Sequence, residues 1–463
     1  MKLTVLGGGG VRSPFLAKSI VANSSRAGLT EIVFMDNNVK KLSIYGKLAQ
    51  IIASKMDPNL KFSITTDAVE AVKNADFVIT TLRVGEDEAR TEDENIALDL
   101  GLLGQETTGA GGFAMAMRSI PALLDYCKLI ERHANKNVLI FNFTNPSGLV
   151  TQALRSEGYN NVYGICDGPS TFKNELANLM SVPEDDLSME CFGLNHLSWY
   201  RNFKINGENI SKELISNERL YSETDMSFFD PELISISGGT MLLNVYLYFY
   251  YYREKAVESI IKSKKARGQH IMEINRDMSA ELEKLDLESD IDKAFKIFMS
   301  SFIRREKSYM SAESDSSKGR TCPDTIPTFQ EYLDEPDEGG YAGVALRFVE
   351  AVTTGKNVDM VISVPNNGAI DDLDDTDVVE ISCKIDKNGA HPLKIGQVPV
   401  FQMNLIRTVK FYENMSVKAI LTKSKDAAIV ALTAHPLVNS YSLAKQLVNK
   451  YLEAHSIYTG EWK

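Results

Sequence analysis

Short apolar runs alternate with longer amphipathic stretches along the first 165 residues. Apolar runs rich in β-branched residues predict buried strands, and apolar positions recurring every three to four residues predict helices. The predicted strands are Lys2–Leu6, Glu31–Met35, Phe62–Thr65, Phe77–Thr81, Val138–Phe143 and Val162–Ile165, with helices between them such as Pro14–Ser24, Ala68–Lys73 and Ser119–Asn135. Such alternation indicates βαβ units and a parallel sheet, so residues 1–165 are predicted to form a Rossmann-type α/β domain.

The pattern changes after residue 165, where strands and helices no longer alternate regularly. Glu254–Leu287 is predicted as one long helical stretch, Val358–Val364 and Val378–Ile385 as strands, and Ala419–Ala454 as largely helical. Ser308–Gly319 is polar and is predicted to be a mobile surface loop. Residues 166–463 are therefore predicted to form an α+β domain for catalysis, substrate binding and oligomerisation.

Composition and charge narrow the functional classes. The chain has 463 residues, 44 % of them hydrophobic, and a formal net charge of −12, which argues against binding nucleic acid through phosphate neutralisation. Its five cysteines are odd in number and widely spaced, which is not typical of a disulfide framework. No apolar stretch approaches the roughly 20 residues that span a bilayer, and the N-terminus lacks a signal-peptide pattern. We expect a soluble protein of the cytoplasm.

A glycine run follows the first predicted strand. Gly7, Gly8, Gly9 and Gly10 precede a helix, where backbone N–H groups can approach a pyrophosphate. Asp36 ends the second strand, where a carboxylate can accept hydrogen bonds from the adenosine ribose and so favours NAD over NADP. The fingerprint is imperfect, because Arg12 stands where a third glycine is usual. A glycine-rich turn in an unrelated α/β protein is the alternative.

Three polar segments contain side chains that could take part in catalysis or metal binding: NFTNPS from Asn142, GICDGP from Gly164 and GLNHLS from Gly193. We expect all three to lie beyond the strand ends of the Rossmann sheet. Cys166 and His196 could together bind a divalent metal and leave coordination positions open for a substrate. Alone, the pair is weak evidence, because a single buried cysteine or histidine is usually structural.

Seven segments together resemble glycoside hydrolase family 4, the NAD- and metal-dependent glycosidases that dispense with the usual pair of catalytic carboxylates. They run nearly from end to end of the chain: GGGGVRSP (7–14), GLLGQETTGAGGF (101–113), NFTNPSG (142–148), GICDGP (164–169), FGLNHLSWY (192–200), NVYLYFYYY (244–252) and NNGAIDDL (366–373). The resemblance implies a lactate/malate dehydrogenase-like fold and hydrolysis of a 6-phosphoglycoside such as cellobiose 6-phosphate. Relatives form dimers or tetramers, so it also implies a homodimer or homotetramer.

The resemblance further implies redox elimination. NAD oxidises C3 of the sugar, a tyrosine removes the proton from C2, and the group on C1 leaves. Water then adds to the unsaturated sugar, and the coenzyme returns the hydride to C3. A divalent ion, commonly manganese, stabilises the charge that develops. By this resemblance, Cys166 and His196 are expected to bind the metal and Tyr246 to act as the base. The sugar and its phosphate are expected to contact Arg90, Asn145 and Arg267. The coenzyme is expected to contact Gly7, Gly8, Gly9, Arg12, Asp36 and Arg83. The tyrosines after Tyr246 could instead be an aromatic core face.

Two segments depart from the usual sequences of this family, and both bear on substrate specificity. Phospho-β-glucosidases of this family usually have Cys-Asn-Val-Pro where this chain has Cys166-Asp167-Gly-Pro, and phospho-α-glucosidases have Cys-Asp-Met-Pro. Asp167 could therefore be a general acid, or could orient the metal site. The acidic Asp337–Tyr341 segment replaces a basic Lys-Arg-Gly-Gly of relatives. The other segments look closer to the β branch, so we expect a 6-phospho-β-glucosidase.

The alternatives are an α-glucosidase or other glycosidase of the same family, an NAD-dependent hydroxy-acid dehydrogenase on the same fold, and a non-enzymatic NAD sensor. A dehydrogenase would accumulate NADH during turnover, whereas the glycosidase cycle regenerates NAD. A sensor would keep its function when Tyr246 is replaced by phenylalanine.

Overall fold

The computed structural model describes residues 1–314, 325–337 and 342–463. The described strands are β1 (Lys2–Leu6), β2 (Glu31–Met35), β3 (Lys61–Thr65), β4 (Phe77–Thr80), β5 (Leu139–Asn142), β6 (Val162–Gly164), β7 (Leu187–Leu194), β8 (Leu197–Ile205), β9 (Glu208–Asn209), β10 (Leu242–Leu243), β11 (Val358–Pro365), β12 (Val378–Asp386) and β13 (Gly389–Pro392).

The described α-helices are α1 (Ser13–Ala22), α2 (Val39–Lys41), α3 (Lys47–Met56), α4 (Ala68–Val72), α5 (Glu86–Leu98), α6 (Gly109–His133), α7 (Ser147–Ser156), α8 (Gly168–Met180), α9 (Ser211–Ile215), α10 (Leu220–Glu223), α11 (Pro231–Ile236), α12 (Tyr248–Tyr251), α13 (Arg253–Ser263), α14 (Arg267–Leu282), α15 (Ile291–Lys307), α16 (Ser311–Ser314), α17 (Phe329–Asp334), α18 (Gly343–Thr354), α19 (Val400–Thr422), α20 (Lys425–Ala434), α21 (Tyr441–Ala454) and α22 (Ser456–Thr459).

Within the described residues, the first six strands form a parallel sheet in the order β3-β2-β1-β4-β5-β6. This is the strand order of the dinucleotide-binding Rossmann fold, whose strand order reverses between β1 and β4. The strands are apolar on both faces because helices cover the sheet on both sides, and Leu3, Val5, Ile79 and Phe141 are fully buried. The predicted Rossmann domain is confirmed.

The sheet continues beyond the Rossmann strands into residues from the second half of the chain. β11 pairs antiparallel with β6, β12 pairs antiparallel with β11, and β13 with β12. A smaller antiparallel sheet joins β7 to β8 and β8 to β10 and β9. Its strand β7 packs against β12, where the Ser382 hydroxyl accepts a hydrogen bond from the Cys191 backbone N–H.

Two helical predictions are wrong in their bounds. The stretch Glu254–Leu287 is two helices, α13 and α14, because Lys264 has a φ of +57° and ends the first. The helix predicted for Ser119–Asn135 begins ten residues earlier, at Gly109. The largely helical Ala419–Ala454 stretch is confirmed, since it contains the end of α19 and all of α20 and α21.

The loop prediction for Ser308–Gly319 is wrong for its first half, where α16 forms. The rest of that segment lies outside the described residues, as do Cys322 and most of the acidic Asp337–Tyr341 segment. The described part of the chain contains no helix that is both long enough and apolar enough to cross a membrane.

Candidate active site

A cleft of about 300 Å³ opens at the carboxyl edge of the Rossmann sheet. The loops after β1, β4, β5 and β6 all reach it, because parallel strands end at the same edge of a sheet. The small sheet, α14 and α15 supply its other walls. Among the predicted site residues, the cleft is lined by Gly7, Arg12, Arg83, Arg90, Asn145, Cys166, Asp167, His196, Tyr246 and Arg267.

The loop after β1 requires glycines because its backbone packs closely against neighbouring segments. Gly7 has a φ of +99°, and a Cβ atom on it would lie 2.7 Å from the Thr81 carbonyl oxygen. A Cβ on Gly9 would lie 2.9 Å from the Asp36 carboxylate, which accepts a hydrogen bond from the Gly9 N–H at 2.9 Å. The loop therefore leads into the start of α1 with no side chain between its backbone and the cleft.

Asp36 lies at the end of β2, as predicted. Burial raises the pKa of its carboxyl, while hydrogen bonds from the backbone N–H groups of Asn38 and Gly9 oppose that rise. The side chain of Lys41 reaches Glu86 at 2.7 Å on the same side of the sheet. The carboxylate is thus fixed to the glycine loop at the position where the Rossmann fold binds the adenosine ribose.

Cys166 and His196 meet in the cleft although they come from different sheets. Cys166 follows β6, and the two-residue connection Asn195–His196 joins β7 to β8. The prediction that this third segment follows a strand of the Rossmann sheet is wrong, because the hairpin belongs to the small sheet. The Cys166 Sγ lies 3.7 Å from the His196 Nε2.

The spacing and surroundings of this pair fit a metal ion. Two ligands at about 2.3 Å for sulfur and about 2.1 Å for nitrogen lie roughly 3.7 Å apart at a near-tetrahedral angle. Burial lowers the pKa of His196 to about 4, so the imidazole is neutral and able to coordinate, and its buried Nδ1 has no hydrogen-bond partner among the described residues. Among the described residues, no group of three or more histidine, cysteine, aspartate or glutamate side chains is arranged to hold a metal ion.

Without a cation, the thiol of Cys166 stays protonated. Burial raises its pKa well above the ordinary value, and the nearby Glu380 and Asp167 carboxylates raise it further. A divalent ion reverses this preference, because a coordinating thiol is deprotonated.

Tyr246 lies directly against the His196 ring. The two ring centroids are 3.9 Å apart and the planes are 14° from parallel. A 3-10 turn over Val245–Leu247 presents the tyrosine, and the Asn244 side chain caps this turn by accepting a hydrogen bond from the Tyr246 N–H at 3.0 Å. The structure thus brings together the three side chains predicted as metal ligands and base.

Most of the later tyrosines pack elsewhere, as the alternative interpretation of this run predicts. Tyr248 is buried, and Tyr252 stacks on it at 5.1 Å. Tyr251 stacks on Phe401 at 5.9 Å.

Asp167 and Arg12 face each other at the opening of the cleft. Their closest charged atoms are 3.8 Å apart, and the Asp167 side chain is 43 % exposed. Arg12 also lies 3.5 Å from Glu306. Asn145, in the loop after β5, also lines the cleft.

The predicted phosphate arginines belong to a buried charge cluster. Arg90 is 6 % exposed and lies between Glu94 at 2.8 Å and Glu106 at 3.2 Å. Arg83 reaches Glu106 at 2.6 Å. Burial alone would raise the pKa of Glu106, but Arg83 and Arg90 hold it below its usual range. Arg267 donates to the Ser308 carbonyl oxygen at 2.7 Å and to its hydroxyl at 3.3 Å.

Sequence reasoning missed three charged residues at this site. Glu106 lies in the GQETTG segment, where the sequence shows a family motif but no specific role for the acid. Arg305, on α15, lines the cleft, and its buried Nε has no partner among the described residues. Burial and Arg12 lower its pKa to about 10. Glu380, on β12, lies behind the metal-ligand pair, and burial raises its pKa to about 7. No local pattern marks either Arg305 or Glu380.

The fold is that of nucleotide-binding α/β enzymes, and the cleft at its carboxyl edge brings together a thiol, an imidazole and a phenol. The family described as Family 4 glycosyl hydrolase matches residues 2–182, and its C-terminal domain matches residues 191–438. The chain belongs to glycosyl hydrolase family 4, as its motifs indicate.

Known relatives agree with this assignment. The chain is similar to the 6-phospho-beta-glucosidase of Thermotoga maritima, solved with manganese, NAD+ and glucose-6-phosphate, at 28 % identity and a TM-score of 0.80 over 99 % of both chains. It is also similar to the phospho-alpha-glucosidase PagL of Clostridium acetobutylicum, at 28 % identity over 99 % of this chain and 98 % of the relative.

The predicted dehydrogenase-like fold is confirmed as well. A lactate dehydrogenase from a Medee basin deep-sea metagenome library superposes with a TM-score of 0.50 over 90 % of this chain and 98 % of its own, at 14 % identity. That likeness concerns the fold alone.

Proposed function

We propose that this enzyme hydrolyses 6-phospho-β-glucosides by NAD-dependent redox elimination with a divalent metal. The observation that carries the proposal is the convergence of Cys166, His196 and Tyr246 in the cleft that the Rossmann loops form. Two protein ligands and one phenol suit a reaction in which the sugar itself completes the coordination of the ion.

The resident groups supply what side chains cannot: NAD accepts and returns a hydride, and a divalent ion such as manganese polarises the sugar oxygens. Cys166 and His196 would hold the ion, and the glycine loop with Asp36 would hold the coenzyme. Arg12 and Arg83 both line the cleft and would contact the coenzyme.

In this proposal Tyr246 removes the proton from C2 of the bound sugar. A free tyrosine has a pKa near 10, so a phenol acts as a base near neutral pH only beside a cation. The stacking of Tyr246 on His196 places the phenol next to the ligand pair. The Asn244 cap fixes its backbone, which keeps the phenol aimed at one atom of the substrate.

The 6-phosphate would be bound by Arg90 and Arg267, with Asn145 on the sugar. Guanidinium groups bind phosphate oxygens through paired hydrogen bonds. Glu94 and Glu106 hold Arg90 in place and partly neutralise it, so the cleft does not concentrate unpaired positive charge when substrate is absent.

Asp167 would relay a proton from solvent water to the leaving oxygen, so that the carboxylate is regenerated in each turnover. It lies on the cleft wall one residue after a proposed metal ligand, and its side chain is 43 % exposed, which gives it access to solvent. Its closeness to Arg12 would hold the side chain in a fixed direction between turnovers.

A panel of four aryl glucosides tests the proposal: α- and β-linked, each with and without the 6-phosphate, assayed with NAD, manganese and a thiol reductant. The reductant protects Cys166. We expect hydrolysis of the phosphorylated β-glucoside with no net NADH. Hydrolysis of the α-linked compound instead would assign the chain to the α branch, which Asp167 favours, and steady NADH accumulation would indicate a dehydrogenase.

We further propose that the enzyme acts in the cytoplasm as a homodimer or homotetramer. A phosphorylated sugar is charged and is therefore held inside the cell once formed. Val400, Phe401 and Phe411 on α19 are at least 48 % exposed, which supports an apolar contact between copies. Light scattering on the purified chain tests the oligomeric state.

A further inference from the structure

Glu380 is the third residue of β12 and is only 2 % exposed. Its hydrogen bonds come from two neutral side chains: Asn195 Nδ2 donates to one carboxylate oxygen at 2.9 Å, and Ser198 Oγ donates to the other at 3.1 Å. No cationic side chain among the described residues pairs with it. Burying such a carboxyl group is costly, so its place in the fold calls for an explanation.

One of these partners leads to the proposed metal ligands. Asn195 is the residue before His196 in the β7–β8 connection, and its side chain is close enough to Cys166 to oppose the rise in the pKa of the thiol. Its Oδ1 accepts a hydrogen bond from the Gly148 N–H at 3.4 Å. The Asn195 side chain therefore lies near one ligand and holds the backbone that carries the other.

The other partner leads to Tyr246. Ser198 Oγ accepts a hydrogen bond from Asn244 Nδ2 at 3.3 Å, and the Ser198 carbonyl oxygen accepts one from the Asn244 N–H at 3.0 Å. Asn244 is the residue that caps the 3-10 turn of Tyr246. One oxygen of the Glu380 carboxylate thus connects through Asn195 to the Cys166–His196 pair, and the other connects through Ser198 and Asn244 to Tyr246.

We propose that Glu380 is a positioning residue that fixes the spacing of the Cys166–His196 pair and the direction of Tyr246 by accepting these two hydrogen bonds. The inference rests on the proposed function for the roles of those three residues. It predicts that the acceptor geometry of residue 380, rather than its negative charge, supports metal binding. Groups that orient metal ligands from behind typically contribute about 10- to 100-fold to metal affinity.

Two substitutions at this position separate geometry from charge. Glu380→Gln keeps the shape, since its amide oxygen can accept from Asn195 while its amide nitrogen donates to the Ser198 hydroxyl. Glu380→Met fills the same volume but can accept neither hydrogen bond. Asp377→Asn is the matched control, because Asp377 is another buried acid, accepts a hydrogen bond from Asn414, and directly precedes the same strand.

The measurement is calorimetric titration of the full chain with Mn²⁺ alone, under reducing conditions. We expect Glu380→Met to bind manganese about 10-fold or more weakly, and Glu380→Gln and Asp377→Asn to stay within about threefold of the unsubstituted chain. Wild-type affinity in Glu380→Met would overturn the inference and leave the proposed function intact. Equal weakening of the Met and Gln variants would also overturn it, because charge would then be the cause. If the unsubstituted chain binds no manganese, both this inference and the proposed function are overturned.

If circular dichroism shows that Glu380→Met does not fold, Asn195→Leu replaces it, since that change removes the Asn195–Glu380 hydrogen bond from the other end. The same 10-fold weakening is expected, and unchanged affinity would overturn the inference. The effect of Glu380 on Tyr246 is tested by the kinetics of Glu380→Met at saturating Mn²⁺. We expect kcat of this variant to fall about 10-fold or more, with KM within threefold of the unsubstituted chain. An unchanged kcat would overturn the part of the inference that concerns Tyr246.

Discussion

The rings of His196 and Tyr246 stack at a centroid distance of 3.9 Å, although one residue lies in a hairpin connection and the other in a 3-10 turn. This contact places the proposed base against a proposed metal ligand, and the Cys166 Sγ lies 3.7 Å from the Nε2 of the same imidazole. In the proposed mechanism, a cation bound by this pair favours the ionised form of the phenol. The site chemistry therefore depends on this stack.

Replacing Tyr246 by phenylalanine keeps the ring stack but removes the phenol oxygen. We expect kcat to fall by about 10²- to 10⁴-fold, the usual contribution of a general base, with little change in Mn²⁺ affinity or melting temperature. Hydrolysis of a phosphorylated aryl β-glucoside measures this. Tyr252→Phe, in the same aromatic run but hydrogen-bonded to the exposed Asp230, is the control and should keep its activity. Comparable activity in both variants would exclude Tyr246 as the base.

Replacing Cys166 by serine removes a soft ligand without changing the shape of the site. Because a hydroxyl is a far weaker ligand than a thiolate, we expect manganese affinity to fall at least about 10-fold. Titration calorimetry of the folded variant measures the loss. Cys127→Ser, which alters another buried cysteine on α6, should bind manganese like the unsubstituted chain. If Cys166→Ser binds equally well, the pair is not the metal site.

Replacing Arg267 by methionine should weaken recognition of the 6-phosphate. A lost charge-assisted hydrogen bond costs about 1.5–3 kcal/mol, so KM for the phosphorylated substrate should rise by roughly 10- to 100-fold. Activity on the unphosphorylated glucoside should not change, and that comparison is the measurement. Arg276→Met, on the exposed face of the same helix, is the control. An equal effect on both substrates would mean that Arg267 acts on the fold instead.

The buried His435 predicts a loss of stability in acid. Burial lowers its pKa to about 3, and its Nδ1 accepts a hydrogen bond from the Leu437 N–H. In the unfolded chain a histidine has a pKa near 6.5, so this stability is complete above pH 6.5 and is lost as the pH falls toward 3. Between pH 6.5 and 5 the loss amounts to about 2 kcal/mol.

Urea unfolding at pH 7 and at pH 5 measures this effect. His435→Gln should lose about 2 kcal/mol less between the two pH values than the unsubstituted chain. His391→Gln, which alters a histidine that is 53 % exposed, should follow the unsubstituted chain. A pH dependence in His435→Gln identical to that of the unsubstituted chain would show that His435 is not the cause.

The sequence predicted the Rossmann sheet well because its strands are buried on both faces and therefore appear as continuous apolar runs. The glycine loop and Asp36 were also predictable, since the backbone there approaches too closely for a side chain. The helix break at Lys264 was not, because a lysine with a positive φ leaves no mark in the hydrophobic pattern.

The site was predictable only where residue type implies chemistry. Cys166, His196 and Tyr246 could be singled out because few residues bind metals or accept protons. Glu380 could not, since a single acid within an apolar strand resembles a solvent-facing position. Its partners, Asn195 and Ser198, come from the β7–β8 hairpin, and only the packing of that hairpin against β12 brings them together.

Removal of a proton from C2 by Tyr246 distinguishes the proposed reaction from hydrolysis by two carboxylates, which leaves C2 untouched. Hydrolysis of a 6-phospho-β-glucoside in D₂O, with NAD and manganese, followed by NMR of the glucose 6-phosphate released, tests this step. We expect deuterium at C2 of the product. Product that retains its original proton at C2 through complete turnover would rule out elimination by Tyr246.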